Sequence, residues 1–378
     1  MYVVTRYSDV RAVLRDTERF VNGMRPSTGS PEQNARRARM LELYRESGWL
    51  PAPSLAGYDG QRHKELRAVF TRAFRARRIK GLESFVEQTA RALVDAFAKQ
   101  GRVELVGAFS VPLPLLVIGR QMGVPPEDMG KIKAWTDAWV QRLGMMQTEE
   151  QERWSVEMEI EAQHYFQPIF ERLREEPNDT VLSDMVNSQA GTAPLSDRQL
   201  HAHMMADTFV GGSETTTNAL SAGAWLLTRF PEAYAALAAD PERHLPTFIE
   251  EVLRLESPVQ GLFRVAAEEV ELHGVAIPAG ATLNIRYAAA NRDPEQFERP
   301  EVLDLSRNNA SSHLAFGLGV HACIGAPLAR RELYWGFRCL LERTAGLRLA
   351  PDAPEPRHHP NFCLRALREL HLVFTPKN

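Results

Sequence analysis

Cysteine is scarce in this chain. Its three copies, Cys323, Cys339 and Cys363, are odd in number and widely spaced, which argues against a disulfide framework and against a zinc ribbon. A reducing, cytoplasmic compartment is the expectation. Long apolar runs are also missing. The most apolar early stretch, 111–119, carries two prolines and is too short to span a bilayer. The opening MYVVTRYSDVRAVLRD lacks the charge order of a signal peptide. It reads instead as a strand over 2–6 and a short helix that Ser8 can cap. Neither charge sign dominates: a formal net charge of −3 gives nucleic-acid binding no global electrostatic support. Internal repeats and low-complexity linkers are absent too, and 378 residues suffice for one large domain or two ordinary ones.

What is present is mostly helical patterning. Apolar residues recur at three- and four-residue spacing over 78–100, 151–176, 196–229 and 246–256, with Leu195-Ser196-Asp197 as a start signal. Strands concentrate late, where 270–285 alternates and turns at His273-Gly274 and at Pro278 to Gly280. The fold class is therefore mostly α with a small β region.

The most informative segment is FGLGVHACIG, 316–325. It sets Cys323 in a glycine-rich turn directly before a helical stretch, APLARRELYWGFRCLLER. Gly317 and Gly319 let the backbone fold tightly beside a flat cofactor, and Gly325 leaves room for amide N–H groups to point at sulfur. The positive end of the following helix favours a thiolate there at neutral pH. A second constellation is VGGSETTTN, 210–218, with two glycines inside a helix at a cost of about 1–2 kcal/mol relative to alanine. Such a cost suggests close approach of a ligand, with a threonine hydroxyl opening the local ladder. A third is EEVLRLESP, where Glu251 and Arg254 sit three apart on a helix and can pair.

Phe316, Gly317, Gly319, His321, Cys323 and Gly325 together resemble the haem-binding loop of the cytochrome P450 family. A chance match to six such positions is expected at roughly one in ten million positions. The resemblance covers nearly the whole chain in the family's order and implies a single cytochrome P450 domain over 1–378. Family members usually carry a further strand and helix ahead of the segment that opens this chain, so those elements are expected to be missing.

The family resemblance implies a haem-thiolate monooxygenase that oxidises a mainly apolar terpenoid, steroid, fatty or aromatic compound with O2 and two electrons. It makes Cys323 the thiolate ligand of haem b. Gly211 and Gly212 then mark the distal helix kink, Glu214 the acid and Thr215 the alcohol beside the oxygen site. His63, Arg67, Arg264 and His321 become partners of the haem propionates. Glu251, Arg254 and Arg292 become a buried structural network with one carboxylate between two guanidiniums. Leu262, Phe263 and Phe362, with Trp49 and Leu55, would wall an apolar pocket. Asp207 stands where the family usually has an apolar residue, so it is expected either to bind a polar group of the substrate or to pair with a nearby protein residue. The expected electron donor is a ferredoxin or flavodoxin with its reductase, docking on the basic run 61–80 and on Arg330 and Arg331. A monomer with no membrane and no nucleic-acid partner completes the expectation. A peroxide-driven peroxygenase is the alternative within enzymes, disfavoured by the intact Glu214-Thr215 pair. A haem-thiolate gas sensor, which needs neither that pair nor a substrate pocket, is the alternative from another class.

Overall fold

The protein is described here from a computed structural model, over residues 1–23 and 30–377. The helices among them are α1 (Tyr7–Arg15), α2 (Pro31–Ser47), α3 (Gly60–Ala73), α4 (Ala76–Ala98), α5 (Pro112–Met122), α6 (Met129–Leu143) and α7 (Glu149–Glu175). They continue as α8 (Val181–Val186), α9 (Asp197–Ala202), a π-helical stretch His203–Val210, α10 (Gly211–Arg229), α11 (Pro231–Ala239), α12 (Pro241–Glu256), α13 (Tyr287–Ala290) and α14 (Ala326–Arg343). Strands are β1 (Tyr2–Val4), β2 (Phe20–Asn22), β3 (Arg102–Glu104), β4 (Gln189–Ala190), β5 (Ala193–Pro194) and β6 (Leu262–Ala266). Later come β7 (Val270–Leu272), β8 (Val275–Ile277), β9 (Thr282–Ile285), β10 (Thr344–Leu349) and β11 (His371–Pro376). The main sheet runs β1-β9-β6-β2, with β1 parallel to β9 and the other pairs antiparallel. None of the described helices is long and apolar enough to cross a membrane.

Local signals explain the long elements. Thr148 caps α7 and Ser196 caps α9, each with a glutamine three residues on that returns the bond to the cap's own N–H. Helix α10 is apolar or small nearly all round because it is wrapped on every side. It packs on α14, α12 and α5. A Cβ at Gly336 would lie 2.7 Å from Leu220 Cδ2, so glycine there lets α14 approach α10 without displacing that side chain. Phe337 beside it is fully buried against Phe248, and truncating such a side chain typically costs about 3–5 kcal/mol.

Several boundaries differ from expectation. Strand β1 ends at Val4, and α1 begins at Tyr7, ahead of Ser8, because Asp293 Oδ2 accepts the Tyr7 N–H at 2.8 Å from across the fold. Helix α12 starts at Pro241, where Asp240 accepts the Arg243 N–H at 3.2 Å, and Pro246 is carried inside it. The helix expected over 196–229 is interrupted by the π-helical stretch, so the disturbance lies just ahead of Gly211. The late strands fall as expected, His273 and Gly274 turning with positive φ of 52° and 77°.

Candidate active site

Residues 316–325 form a tight loop leading into α14. The Cys323 N–H donates to the Phe316 carbonyl at 2.8 Å. Gly317 and Gly319 adopt φ of 66° and 72°. A Cβ on Gly319 would stand 2.8 Å from the Leu14 carbonyl oxygen, so the loop seats against α1 only with glycine there. Arg330 holds the loop from behind, stacking 4.6 Å over Phe316 while donating to Glu250 at 2.6 and 2.8 Å. Backbone N–H groups of Gly325 and Ala326 donate to the Cys323 sulfur, as its place before α14 implied. Burial pushes the Cys323 thiol up, and these amides with Arg67 and Arg330 only oppose it. A coordinated metal cation is what makes such a thiol lose its proton.

Cys323 opens onto a cavity that Gly211, Gly212, Thr215 and Thr216 of α10 also line. Thr215 Oγ1 donates to the Gly211 carbonyl at 3.0 Å. A Cβ on Gly212 would meet Ile118 at 3.3 Å, so this glycine also lets α10 lie close to α5. Glu214 is buried beside them but turns toward α6, accepting from Thr136 Oγ1 at 3.1 Å with Lys133 Nζ at 3.6 Å. Burial raises its pKa against those two partners.

One rim of the cavity is basic. His63, Arg67, Arg264 and His321 all line it. The His63 and His321 rings lie 4.0 Å apart, and Arg67 Nη2 donates to the Ala322 carbonyl at 2.6 Å. His321 Nε2 meets Asp59 Oδ1 at 2.9 Å. Burial, with His321 and Arg67 beside it, drives the His63 pKa down to about 4. His63 Nε2 and Arg264 Nε are buried without a protein partner. Unpartnered donors at the edge of a cavity with a sulfur on its floor fit an iron porphyrin with two carboxylates.

Two site expectations change. Glu251 does lie between two guanidiniums, but the second is Arg307, whose Nε is 3.0 Å away. Arg292 instead pairs with Glu301 and donates to the Leu255 carbonyl. Arg254 is saturated, bidentate to Glu251 at 2.6 and 3.0 Å and bonded to the carbonyls of Asn291, Pro300 and Val302. Among the pocket candidates Leu55 and Leu262 line the cavity. Phe263 and Phe362 stack on each other outside it, centroids 6.0 Å apart, and Trp49 packs against His164 and His201. Asp207 lines the cavity, and its Oδ2 accepts from the Leu55 N–H at 2.7 Å and lies 2.8 Å from His203 Nδ1. Of its two expected fates, it shows pairing within the protein.

Glu332 is a cavity residue that the sequence reading missed. It is buried, its Oε2 has no partner, and burial raises its pKa well above the carboxylate range although Thr216 bonds it. The available signal was an acid in the apolar stripe of α14, four after Leu328 and four before Gly336. His203, four before Asp207 on one helix face, was legible in the same way.

The comparisons agree with this geometry. The family model for Cytochrome P450 matches residues 146–358. The chain is 35% identical over 376 residues to Mycinamicin IV hydroxylase/epoxidase of Micromonospora griseorubida, covering 99% of this chain and 89% of that protein. It is 32% identical over 373 residues to the Polyketide biosynthesis cytochrome P450 PksS of Bacillus subtilis, covering 98% of this chain and 88% of that one. Among solved structures, P450BioI in complex with a hexadec-9Z-enoic acid ligated acyl carrier protein superimposes with a TM-score of 0.86 at 29% identity, covering 98% and 92% of the two chains. The fold and comparisons thus define a haem-thiolate oxidoreductase. The chain belongs to the cytochrome P450 family. It is a monooxygenase whose cofactor is iron protoporphyrin IX with a cysteine thiolate ligand, and its family acts on small molecules with electrons from a redox partner.

Proposed function

We propose that residues 1–378 work as one domain in which Cys323 is the iron ligand and Thr215 faces the oxygen site across the cavity. The observation that carries this reading is that Cys323 and Thr215 line one cavity together with four basic side chains, His63, Arg67, Arg264 and His321. The haem supplies O2 activation by two single-electron reductions. The chain does the rest. Gly325 and Ala326 N–H groups orient the sulfur, and His63, Arg67, Arg264 and His321 hold the propionates. Thr215 Oγ1 holds a proton beside the reacting oxygen. Glu214 receives protons from the α6 side, where Lys133 and Asp137 reach solvent with side chains 27% and 45% exposed. That intact pair favours O2 over peroxide as the oxidant.

Leu55, Ala56, Ala206, Val259 and Leu262 give the cavity an apolar lining for a fatty, terpenoid, steroid or aromatic substrate, with polyketides added by the name of the Bacillus subtilis relative. The electron donor is an acidic ferredoxin or flavodoxin with its reductase. The surface for it is narrower than the sequence implied. Arg78 is held by Asp179 and Asp184, Arg330 by Glu250 and Arg331 by Glu83. Lys64, Arg72, Arg75, Arg77 and Lys80 are exposed and form no ion pair among the described residues, which leaves them as the docking charges.

Thr215→Ala tests the oxygen-site role. Haem content and substrate affinity should stay close to the parent's while reducing equivalents drain to peroxide or water. Equal coupling of electrons to product in both proteins would remove Thr215 from the mechanism.

A further inference from the structure

A second cavity lies beside the first. Pro51, Ala52, Ser54, Arg142, Glu159 and Met205 are among its lining residues, and Ala206 lines both cavities. Ser54 faces the outer cavity and Leu55 the inner one, so the peptide joining them is part of the partition. That peptide's N–H is the one Asp207 accepts, at 2.7 Å. His203, with no side-chain exposure, meets the same Oδ2 at 2.8 Å. The rest of the strap is tied only at its base. Trp49 exchanges bonds of 3.0 and 2.8 Å with Gln163, and Arg198 Nε donates to the Leu50 carbonyl at 2.8 Å. From Pro51 to Ser54, two residues of which are prolines, no hydrogen bond to another part of the fold is seen among the described residues.

The outer cavity differs in character from the inner one. Arg142 pairs with Glu159, and both bond the Tyr44 hydroxyl, at 2.7 and 2.5 Å, so its wall carries a neutralised ion pair beside Leu143 and Met205. Such a wall offers hydrogen bonds without selecting a charge.

We propose that the two cavities are chambers of one substrate site and that Asp207 is the positioning residue holding the partition between them. The site then takes elongated small molecules, with one end in the inner chamber and the rest extending into the outer one, whose wall is largely apolar apart from the hydrogen-bonding Arg142–Glu159 pair. This rests on the inner cavity being the haem site. A carboxylate pinning a backbone N–H is a strong, charge-assisted bond, and its loss shifts an opening equilibrium by about ten-fold or more.

The test uses the haem-loaded protein with two iron-ligating probes, compact imidazole and elongated 1-dodecylimidazole. In Asp207→Leu, amide hydrogen exchange at Leu55 should rise about ten-fold and 1-dodecylimidazole should associate faster by a similar factor, imidazole much less. Asp207→Asn keeps an acceptor oxygen without the charge and should give exchange and rates between those of the parent and of Asp207→Leu. Ala52→Trp, which fills the outer chamber and leaves Asp207 in place, should weaken 1-dodecylimidazole about ten-fold and leave imidazole unchanged. Unaltered Leu55 exchange in Asp207→Leu would overturn the latch. Lost protection with unchanged association, or parental affinity for 1-dodecylimidazole in Ala52→Trp, would overturn the two-chamber site. Failure of imidazole to shift the Soret band of the parent would strike the haem-site reading instead, while the exchange data still report on the latch.

Discussion

Glu251→Gln isolates the energetics of the buried charge network. The substitution keeps shape and removes one negative charge, leaving the guanidinium of Arg254, whose side chain is 0% exposed, and that of Arg307, 5% exposed, without their counter-ion. Breaking a buried pair from one side costs about 3–5 kcal/mol, because the remaining charge is neither solvated nor paired. At about 2.1 cal/mol/K of unfolding entropy per residue over a chain of 378, that is a fall in Tm of about 4–6 °C. Calorimetry of the haem-loaded protein measures it. Arg292→Ala is the control, since that side chain is 31% exposed and bonds elsewhere, and it should lose only about 1 kcal/mol. A Glu251→Gln protein melting within about 1 °C of the parent, or no lower than Arg292→Ala, would refute the assignment of Glu251 as the centre of the network.

Other consequences follow from the same geometry. His201 is buried with neither ring nitrogen partnered, and burial lowers its pKa to about 4 from 6.5. The unfolded chain therefore binds its proton first, so stability should fall as pH drops from about 6.5 toward 4, by roughly 3 kcal/mol at most from this group. His201→Phe should flatten that acid limb in melts taken across the range, and an unchanged limb would place the sensitivity elsewhere. Reversing Arg72 and Arg75 to Glu should slow reduction by an acidic ferredoxin and flatten its salt dependence at unchanged ligand affinity, whereas parental rates and slopes would move the docking surface. Glu332→Gln should leave the melting temperature within about 2 °C of the parent, since burial favours the uncharged form of this carboxyl and the amide keeps its shape. A much larger drop would mean that the group is ionised in the fold.

The cysteine loop was legible because its determinants are local: two left-handed glycines, one cysteine and a helix start within ten residues of chain. The Gly211 to Thr215 helix and the Glu251–Arg254 pair were legible for the same reason, each being set by spacing on one helix. Partners brought from afar were not. Arg307 reaches Glu251 from a loop, and the Leu55 N–H reaches Asp207 across 152 positions, so no periodicity announces either. Phe263 was misplaced for a different reason. Neighbours on a strand face opposite ways, so Leu262 and Phe263 could not both meet the cavity, and resemblance supplied the segment without its face. Helix α12 was started late because Pro246 drew the boundary, although Asp240-Pro241 is the stronger start signal.

The iron ligand is the centre on which everything above depends, and the ferrous carbon monoxide spectrum reads it directly. The parent should show the red-shifted Soret band that gives the family its name, and so should Cys339→Ser and Cys363→Ser, whose cysteines are fully buried elsewhere in the fold. Cys323→His should lose the band while keeping haem. A Cys323→His protein with the parental band would show that another residue holds the iron.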